Sequence, residues 1–222
     1  MSLKSEIKYK ALTTVLIGFV VVFAGQCGQS PNSNSETGGS EGANVKTGIK
    51  PEADAEAAVI ETDFGRIVIE LYPNLAPQMV ARFKKLAGEG FYNGTAIHRI
   101  DPDLGIIQGG DPNSKDNNPA NDGMGSSDEP NLPAEFSDIE YERGTVGAAR
   151  SQSEDSANSQ FYITLKRQPA FDKRYTVFGR VIEGLNNADI ISTAPLAEGT
   201  QDRPADRILV KSITLAPRSN FK

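Results

Sequence analysis

Apolar and polar positions divide the chain into three segments. A short basic stretch is followed by residues 11–25, which carry no charge and are mostly Val, Leu, Ile, Phe and Ala. Residues 28–57 hold few apolar side chains and are rich in Gly, Ser, Asn, Glu and Ala. From Ala58 onward, β-branched and aromatic runs alternate with turn residues, which is typical of a strand-rich domain. The pattern predicts one folded domain, 58–217, preceded by two N-terminal segments, 1–27 and 28–57.

The first segment has the features of an export signal. Its apolar region is shorter than the roughly 20 residues of a membrane-spanning helix, and it follows a lysine-rich start. It ends in Ala24 and Gly25 shortly before Cys27, which resembles the lipobox of bacterial lipoproteins, where the cysteine is lipidated. Gln26 departs from that pattern, because Gly, Ala or Ser usually precedes the cysteine. We expect lipidation of Cys27 and an extracytoplasmic, membrane-anchored location; an uncleaved anchor, or ordinary cleavage that leaves a free thiol, are the alternatives.

The second segment, 28–57, contains too little apolar surface to offset the entropy that folding would cost. We therefore expect a flexible tether. A coil of about 30 residues spans roughly 30 Å on average, which is enough to hold a folded domain away from a membrane surface.

The folded domain is predicted to be mainly β. Residues 58–71 have the pattern of a hairpin, with a glycine-containing turn between two β-rich runs. Val80, Phe83 and Leu86 recur at helical spacing behind Pro77 and predict an amphipathic helix. Many strands, few helices and no strand–helix alternation favour a closed antiparallel barrel with helices over its ends. Further strands are expected at 144–150, 160–164, 176–181 and 208–215, and a second short helix at 185–191.

Two polar side chains are prominent in the stretch 97–111. Pro102 and Gly105 separate two β-branched runs, of which the first carries Arg99 and the second Gln108. A guanidinium offers five N–H donors, and an amide offers two donors and an acceptor. Taken alone, Arg99 would be explained by an ordinary salt bridge on an edge strand. The polar passage 112–133 has no periodic apolar face and predicts a long surface loop with a function.

Composition excludes several classes of protein. A net charge of −6 and a pI near 5.0 argue against nucleic-acid binding. One cysteine excludes an internal disulfide. Together with a single histidine it offers no zinc cluster, so we expect neither a metal nor a cofactor.

A hydrolase is the rival enzyme class. The one histidine, His98, precedes Arg99, and alternation along a strand would send the two side chains to opposite faces, so we expect His98 to be structural. No Gly-x-Ser-x-Gly elbow occurs in the sequence. Residues 101–112 superficially match a calcium-binding loop, but the glycine comes one position early and Pro112 replaces the final glutamate.

Six short motifs lie in order along the predicted domain. They are Phe91-Tyr92-Asn93-Gly94-Thr95, His98-Arg99-Ile100, Gln108-Gly109-Gly110-Asp111, Ala148-Ala149-Arg150, Asn158-Ser159-Gln160-Phe161-Tyr162-Ile163 and residues 172–179. Together they resemble the cyclophilins, a family of peptidyl-prolyl cis-trans isomerases, over about 58–215. The resemblance implies an eight-stranded antiparallel barrel, capped by two helices, with an active groove on its outer face.

The resemblance also implies which residues form the groove. The family's catalytic arginine corresponds to Arg99, and Gln108 is expected to act beside it. The implied substrate-binding residues are Ile106, Ala149, Arg150, Gln160, Tyr162, Phe171 and Tyr175.

Several of these positions depart from the best-known eukaryotic pattern. The turn before Gln108 is one residue longer, so Leu104 or Ile106 is expected in place of an aromatic side chain. These departures resemble the bacterial branch and imply weak cyclosporin binding. The other departures are Arg150 where Asn is common, Tyr162 where Phe is common, Tyr175 where His is common, and Ala170 in place of a tryptophan.

The implied function is isomerisation of X–Pro bonds in exported or envelope proteins, without a covalent step. Arg99 would donate to the proline nitrogen of the twisted amide, an interaction that the planar forms lack. The expected partners are proline-containing polypeptides and, through the N-terminus, a membrane; the protein is expected to be monomeric. The alternative is a non-catalytic binding module or chaperone on the same barrel.

Overall fold

A computed structural model of the protein describes residues 44–222. The described part contains nine strands and two α-helices, with short 3-10 helices at Pro112–Lys115, Pro169–Phe171 and Arg218–Asn220. In chain order the elements are β1 (Glu56–Thr62), β2 (Gly65–Leu71), α1 (Pro77–Gly88), β3 (Ala96–Ile97), β4 (Arg99–Asp101), β5 (Ile106–Gly109), β6 (Thr145–Ala148), β7 (Phe161–Thr164), β8 (Val177–Glu183), α2 (Leu185–Ser192) and β9 (Ile208–Pro217).

All nine strands belong to one antiparallel sheet, in the order β3-β9-β1-β2-β8-β6-β7-β5-β4. The two strands at the ends of this order, β3 and β4, are separated in the chain by His98 alone. They are two halves of one interrupted strand, which pairs first with β9 and then with β5. The sheet therefore curves into a nearly closed barrel, as predicted. The observed count of nine strands exceeds the predicted eight because this strand is broken at His98.

The predicted elements are found close to their expected bounds. Strands β1 and β2 form the hairpin, with Thr62 paired to Gly65 across the turn. Gly65 has φ +109°, a backbone conformation that favours glycine. Helix α1 begins at Pro77 and α2 spans Leu185–Ser192. The alternation of apolar positions was therefore sufficient to locate the main elements.

Helix α1 packs its apolar face into the barrel around Phe83, which is fully buried. The ring centroid of Phe83 lies 5.1 Å from that of Tyr92 and 5.4 Å from those of Phe161 and Phe178. The N-cap residue of the helix is Ala76, whose side chain cannot accept a hydrogen bond from the first N–H groups. A distant carboxylate performs that role, because Glu135 accepts hydrogen bonds from the amides of Gln78 and Met79, both at 3.0 Å.

The residues just before β1 lie against the barrel. Lys46 donates its backbone N–H to Phe136 O at 2.9 Å, and Lys46 O accepts from the amide of Asp138 at 2.9 Å. Asp54 donates to Leu71 O at 2.8 Å, and its carboxylate pairs with Lys84. These contacts begin about a dozen residues before the expected domain start at Ala58, inside the range 28–57 that was expected to be a tether. The apolar pattern could not reveal them, because the contacts are made largely by backbone groups.

The predicted export signal, Cys27 and the first part of the predicted tether lie outside the described residues. Within residues 44–222, no helix combines the length and apolar character needed to span a bilayer.

Candidate active site

The site is built on three neighbouring strands, β4, β5 and β7. Arg99 on β4 is paired with Gln108 on β5, and Gln108 is paired with Tyr162 on β7. Directly paired residues of an antiparallel sheet project from the same face. The next row, Ile100, Ile107 and Ile163, is at most 1% exposed and projects into the core. The row of Arg99, Gln108 and Tyr162 therefore lies on the outer face of the barrel.

A chain of hydrogen bonds joins the polar side chains of this row to a loop. Arg99 Nη1 donates to Gln108 Oε1 at 3.3 Å, and Gln108 Nε2 donates to Gln160 Oε1 at 2.9 Å. Gln160 Nε2 in turn donates to the backbone oxygens of Gly123 and Gly125, at 3.0 and 2.8 Å. The three predicted polar residues are thus brought together, and the orientation of each amide is set by its neighbour.

The loop that receives these bonds belongs to the predicted surface passage 112–133. The fully buried carboxylate of Asp111 accepts from the backbone N–H groups of Asn113, at 2.8 Å, and of Gly123. Asn158 accepts from the amide and the hydroxyl of Ser127, at 3.0 and 2.6 Å. Asp111 and Asn158 were not predicted as site residues, although both occur in the motifs that resemble the family. They hold the loop against the groove.

Arg99 has two acidic partners that were not predicted from the sequence. Its Nη2 donates to Asp101 Oδ2 at 2.6 Å, and its Nε donates to Asp202 Oδ2 at 2.8 Å. Asp101 could have been found from the sequence, because residues two apart on a strand share a face. Asp202 could not, since it lies far along the chain.

Aromatic side chains form an apolar slot beside the polar row. The ring centroid of Phe171 lies 5.5 Å from that of Tyr162 and 4.9 Å from that of Tyr175. Ile106 is 2% exposed and belongs to the same cluster, and Leu104 packs against it, so both candidates for the missing aromatic are present.

Tyr141 extends this cluster and was not predicted. Its ring stacks on Tyr162 with centroids 5.9 Å apart. A Cβ at Gly147 would lie 2.5 Å from Tyr162 Oη and 2.6 Å from Tyr141 Oη, so glycine makes room for both hydroxyls. Burial raises the pKa of Tyr141 and of Tyr162 well above the ordinary value, so both phenols are neutral at pH 7.

Ala149 and Arg150 form the rim of the groove next to the slot. The amide of Ala149 donates to Gln160 O at 3.0 Å, which joins this rim to the residue that directly precedes β7. The guanidinium carbon of Arg150 lies 4.5 Å from the ring centroid of Tyr175, a cation–π arrangement. A cavity of about 330 Å³ adjoins these residues, and its lining includes Gln108, Met124, Ser126, Ala149, Arg150 and Gln160.

His98 lies apart from this arrangement. It is 7% exposed and lines a different cavity, of about 240 Å³, that shares no lining residue with the groove cavity. Burial lowers the pKa of His98, so the imidazole is neutral at pH 7. Within residues 44–222, no group of three or more His, Cys, Asp or Glu side chains is arranged to hold a metal ion.

Comparison with known proteins gives the same family over the folded part of the chain. Residues 57–215 match the family model described as cyclophilin type peptidyl-prolyl cis-trans isomerase/CLD. A probable peptidyl-prolyl cis-trans isomerase of Brucella suis is 43% identical over 166 residues, which cover 72% of this chain and 84% of the relative. The human peptidyl-prolyl cis-trans isomerase-like 1 is 35% identical over 154 residues, which cover 68% of this chain and 87% of the relative.

Solved structures give the same result for the fold. A cyclophilin type isomerase of Cryptosporidium parvum, crystallised in the presence of the dipeptide Ala-Pro, matches with a TM-score of 0.64 and 26% identity, over 73% of this chain and 99% of its own. A cyclophilin of Hirschia baltica is similar in fold, with a TM-score of 0.57 and 21% identity, over 75% of each chain. The barrel, the family model and these relatives agree, and the chain belongs to the cyclophilin-type peptidyl-prolyl cis-trans isomerases.

Proposed function

We propose that the groove isomerises X–Pro bonds of exported polypeptides by stabilising the twisted amide without covalent chemistry, with Arg99 as the catalytic residue. The observation that carries this proposal is the single row of Arg99, Gln108 and Tyr162 on the outer face, with the aromatic slot beside it. The slot offers an apolar place for a proline ring, and the guanidinium lies on the same face, along the same row.

The chemistry needs no proton transfer. Amide resonance raises the rotation barrier to about 18–20 kcal/mol, and an X–Pro bond flips unaided in tens to hundreds of seconds. In the twisted state the proline nitrogen gains a lone pair that the planar state lacks. An N–H group of Arg99 directed at that nitrogen binds the twisted state selectively, and about 1.4 kcal/mol of such preference gives a tenfold rate increase.

The hydrogen bonds of the site indicate different roles for Gln108 and Gln160 in substrate binding. Gln108 Nε2 gives one of its two N–H groups to Gln160, so the second is available for a substrate carbonyl. Gln160 uses its amide nitrogen on two loop carbonyls, so it acts by orienting Gln108. Tyr162, Phe171 and Ile106 grip the ring, with Tyr175 at the edge. The backbone beside Ala149 and Arg150 binds the peptide as an added strand. The related crystal structure obtained with Ala-Pro supports a proline-containing ligand.

An isomerisation assay on the full chain, purified in detergent, tests this proposal. We expect catalytic amounts of protein to accelerate cis-to-trans conversion of an Ala-Pro test peptide in a protease-coupled assay, with a rate proportional to protein concentration. The binding-module alternative predicts that the peptide binds, as seen by titration calorimetry, while its exchange rate stays at the uncatalysed value. That second result would exclude catalysis.

The location belongs to the same proposal, and it rests on the sequence around Cys27. Expressed in a bacterial host, the mature protein is expected to begin at Cys27, to carry the mass of its acyl chains and to fractionate with membranes, because several acyl chains anchor stably where one does not. Cys27→Ser should remove the lipid mass and the cleavage together. An unmodified Cys27 in the mature protein, found by mass spectrometry, would rule out lipidation.

A further inference from the structure

The guanidinium of Arg99 is bonded at every one of its three nitrogens. Nε donates to Asp202 at 2.8 Å, Nη2 to Asp101 at 2.6 Å and Nη1 to Gln108 at 3.3 Å. A guanidinium has five N–H groups, so these bonds leave one free N–H on each Nη atom. The Arg99 side chain is 33% exposed, and a side chain at the surface usually rotates more freely than these three bonds allow.

The fold fixes the carboxylate of Asp101 and the backbone of Asp202, whose side chain is 44% exposed. Asp101 follows Arg99 by two residues on β4, and its Oδ1 accepts from the amide of Leu104 at 2.8 Å, so the side chain is tied to the turn that it begins. Its side chain is 14% exposed. Asp202 belongs to a loop that is closed by a bridge between Leu196 and Pro204. The backbone oxygen of Asp202 accepts from the amide of Ile100 at 2.6 Å, which joins the loop to β4 beside Arg99.

We propose that Asp101 and Asp202 are positioning residues. They hold the Arg99 guanidinium in the one orientation that presents its two free N–H groups to the substrate. This inference rests on the proposed role of Arg99 and deepens it. An arginine free to rotate would have to be ordered in every catalytic cycle, whereas a preorganised donor costs no reorganisation when the amide twists.

Orientation is the property that the two carboxylates supply. Their negative charges offset the positive charge of Arg99, which weakens its long-range field. Twisting of the amide creates a lone pair and no net charge, so a correctly directed N–H group is needed more than a net positive charge. A neutral acceptor in the same place should therefore serve almost as well as a carboxylate.

Substitutions at Asp202 test this directly. In Asp202→Ala we expect kcat to fall about tenfold with KM changed less than twofold, because a misdirected reacting group typically costs one to two orders of magnitude. Asp202→Asn keeps an acceptor and should recover most of the lost rate. Asp101→Ala should behave like Asp202→Ala. Asp103→Ala and Asp206→Ala, exposed acidic residues on the same turn and near the same loop, are matched controls that should keep the wild-type rate.

A spectroscopic readout separates positioning from a general structural effect. The Arg99 Nε–Hε signal in a 15N-labelled protein should move toward the position of a free arginine in Asp202→Ala, and remain near the wild-type position in Asp202→Asn. In an Arg99→Lys background, which has no Nε–H, adding Asp202→Ala should cause no further loss of rate.

The outcomes that overturn the inference are distinct from those that overturn the proposed function. A wild-type kcat in Asp202→Ala, an equal loss in Asp202→Asn and Asp202→Ala, or an undiminished effect of Asp202→Ala in the Arg99→Lys background would each refute positioning. Full activity in Arg99→Ala would instead remove the catalytic role of Arg99 itself. Wild-type protein without isomerase activity would refute the proposed function, and the Nε–Hε signal would still show whether the carboxylates fix the fork.

Discussion

Replacing Arg99 with alanine is expected to lower kcat/KM for X–Pro isomerisation by about 10²–10³-fold, the loss typical of removing one preorganised donor from a transition state. The reason is that Arg99 is the one cation in the row that also contains Gln108 and Tyr162, next to the slot. Line-shape analysis of peptide NMR signals, or a protease-coupled assay, measures the rate. Because the Arg99 side chain is 33% exposed and lies outside the core, the melting temperature should change little.

Two further variants make this prediction specific. Arg66→Ala removes an exposed arginine of β2, paired with Glu61, and should leave the rate unchanged. Arg99→Lys keeps the charge and loses the planar fork, so it should recover only a small part of the activity. An Arg99→Ala protein with the wild-type rate would show that the slot alone accelerates rotation. An Arg99→Lys protein with the wild-type rate would show that charge is sufficient.

Replacing Phe83 with alanine is expected to lower the free energy of unfolding by about 3–5 kcal/mol, as large-to-small changes at a buried phenylalanine do. Phe83 is fully buried between α1 and the barrel, where it contacts Tyr92, Phe161 and Phe178. Removal of its ring leaves a cavity among these three aromatic side chains, which rigid strands cannot easily fill. Urea denaturation followed by circular dichroism measures the loss.

The matched control for this prediction is Phe64→Ala. Phe64 lies in the turn between β1 and β2 and is 39% exposed, so its removal should cost much less. Phe83 lies outside the groove, so the folded fraction of Phe83→Ala should retain isomerase activity at low temperature. Equal urea midpoints for Phe83→Ala and the wild type would contradict the central position that we assign to this ring.

Local alternation predicted most of the barrel. The hairpin 58–71 and the two runs that carry Arg99 and Gln108 follow from side-chain periodicity and turn residues, which are properties of neighbouring positions. The break at His98 could not be predicted, because it depends on β9 and β5 pairing with successive parts of one strand. The contacts of Lys46 were hidden for a similar reason, since they are made by backbone groups to residues some ninety positions away.

The sequence predicted the residues at the centre of the candidate site, but it did not predict the loop residues that hold them in place. Arg99, Gln108 and Tyr162 lie together because the strands that carry them are neighbours in the sheet, and Gln160 directly precedes one of these strands. Asp202 and the carbonyls of Gly123 and Gly125 reach the same place through loops, and no periodicity connects a loop residue to its distant partner. Motif resemblance identified the residues of the row and the slot, whereas the residues that support them from distant loops are brought near only by the complete fold.

Because Gly147 has no side chain, it limits which substitutions the groove can accept as the sequence evolves. Tyr162 and Tyr141 lie against the backbone of β6 at Gly147, where their phenolic oxygens occupy the space that even a methyl group would fill. A change from Tyr162 to phenylalanine would not relieve that crowding, because the ring carbon Cζ of residue 162 lies as close to this point as the hydroxyl oxygen does, and Tyr141 Oη approaches it as well. Deepening the slot or introducing bulk below it therefore requires coordinated changes on three separate segments, while the residues around its mouth remain free to vary one at a time.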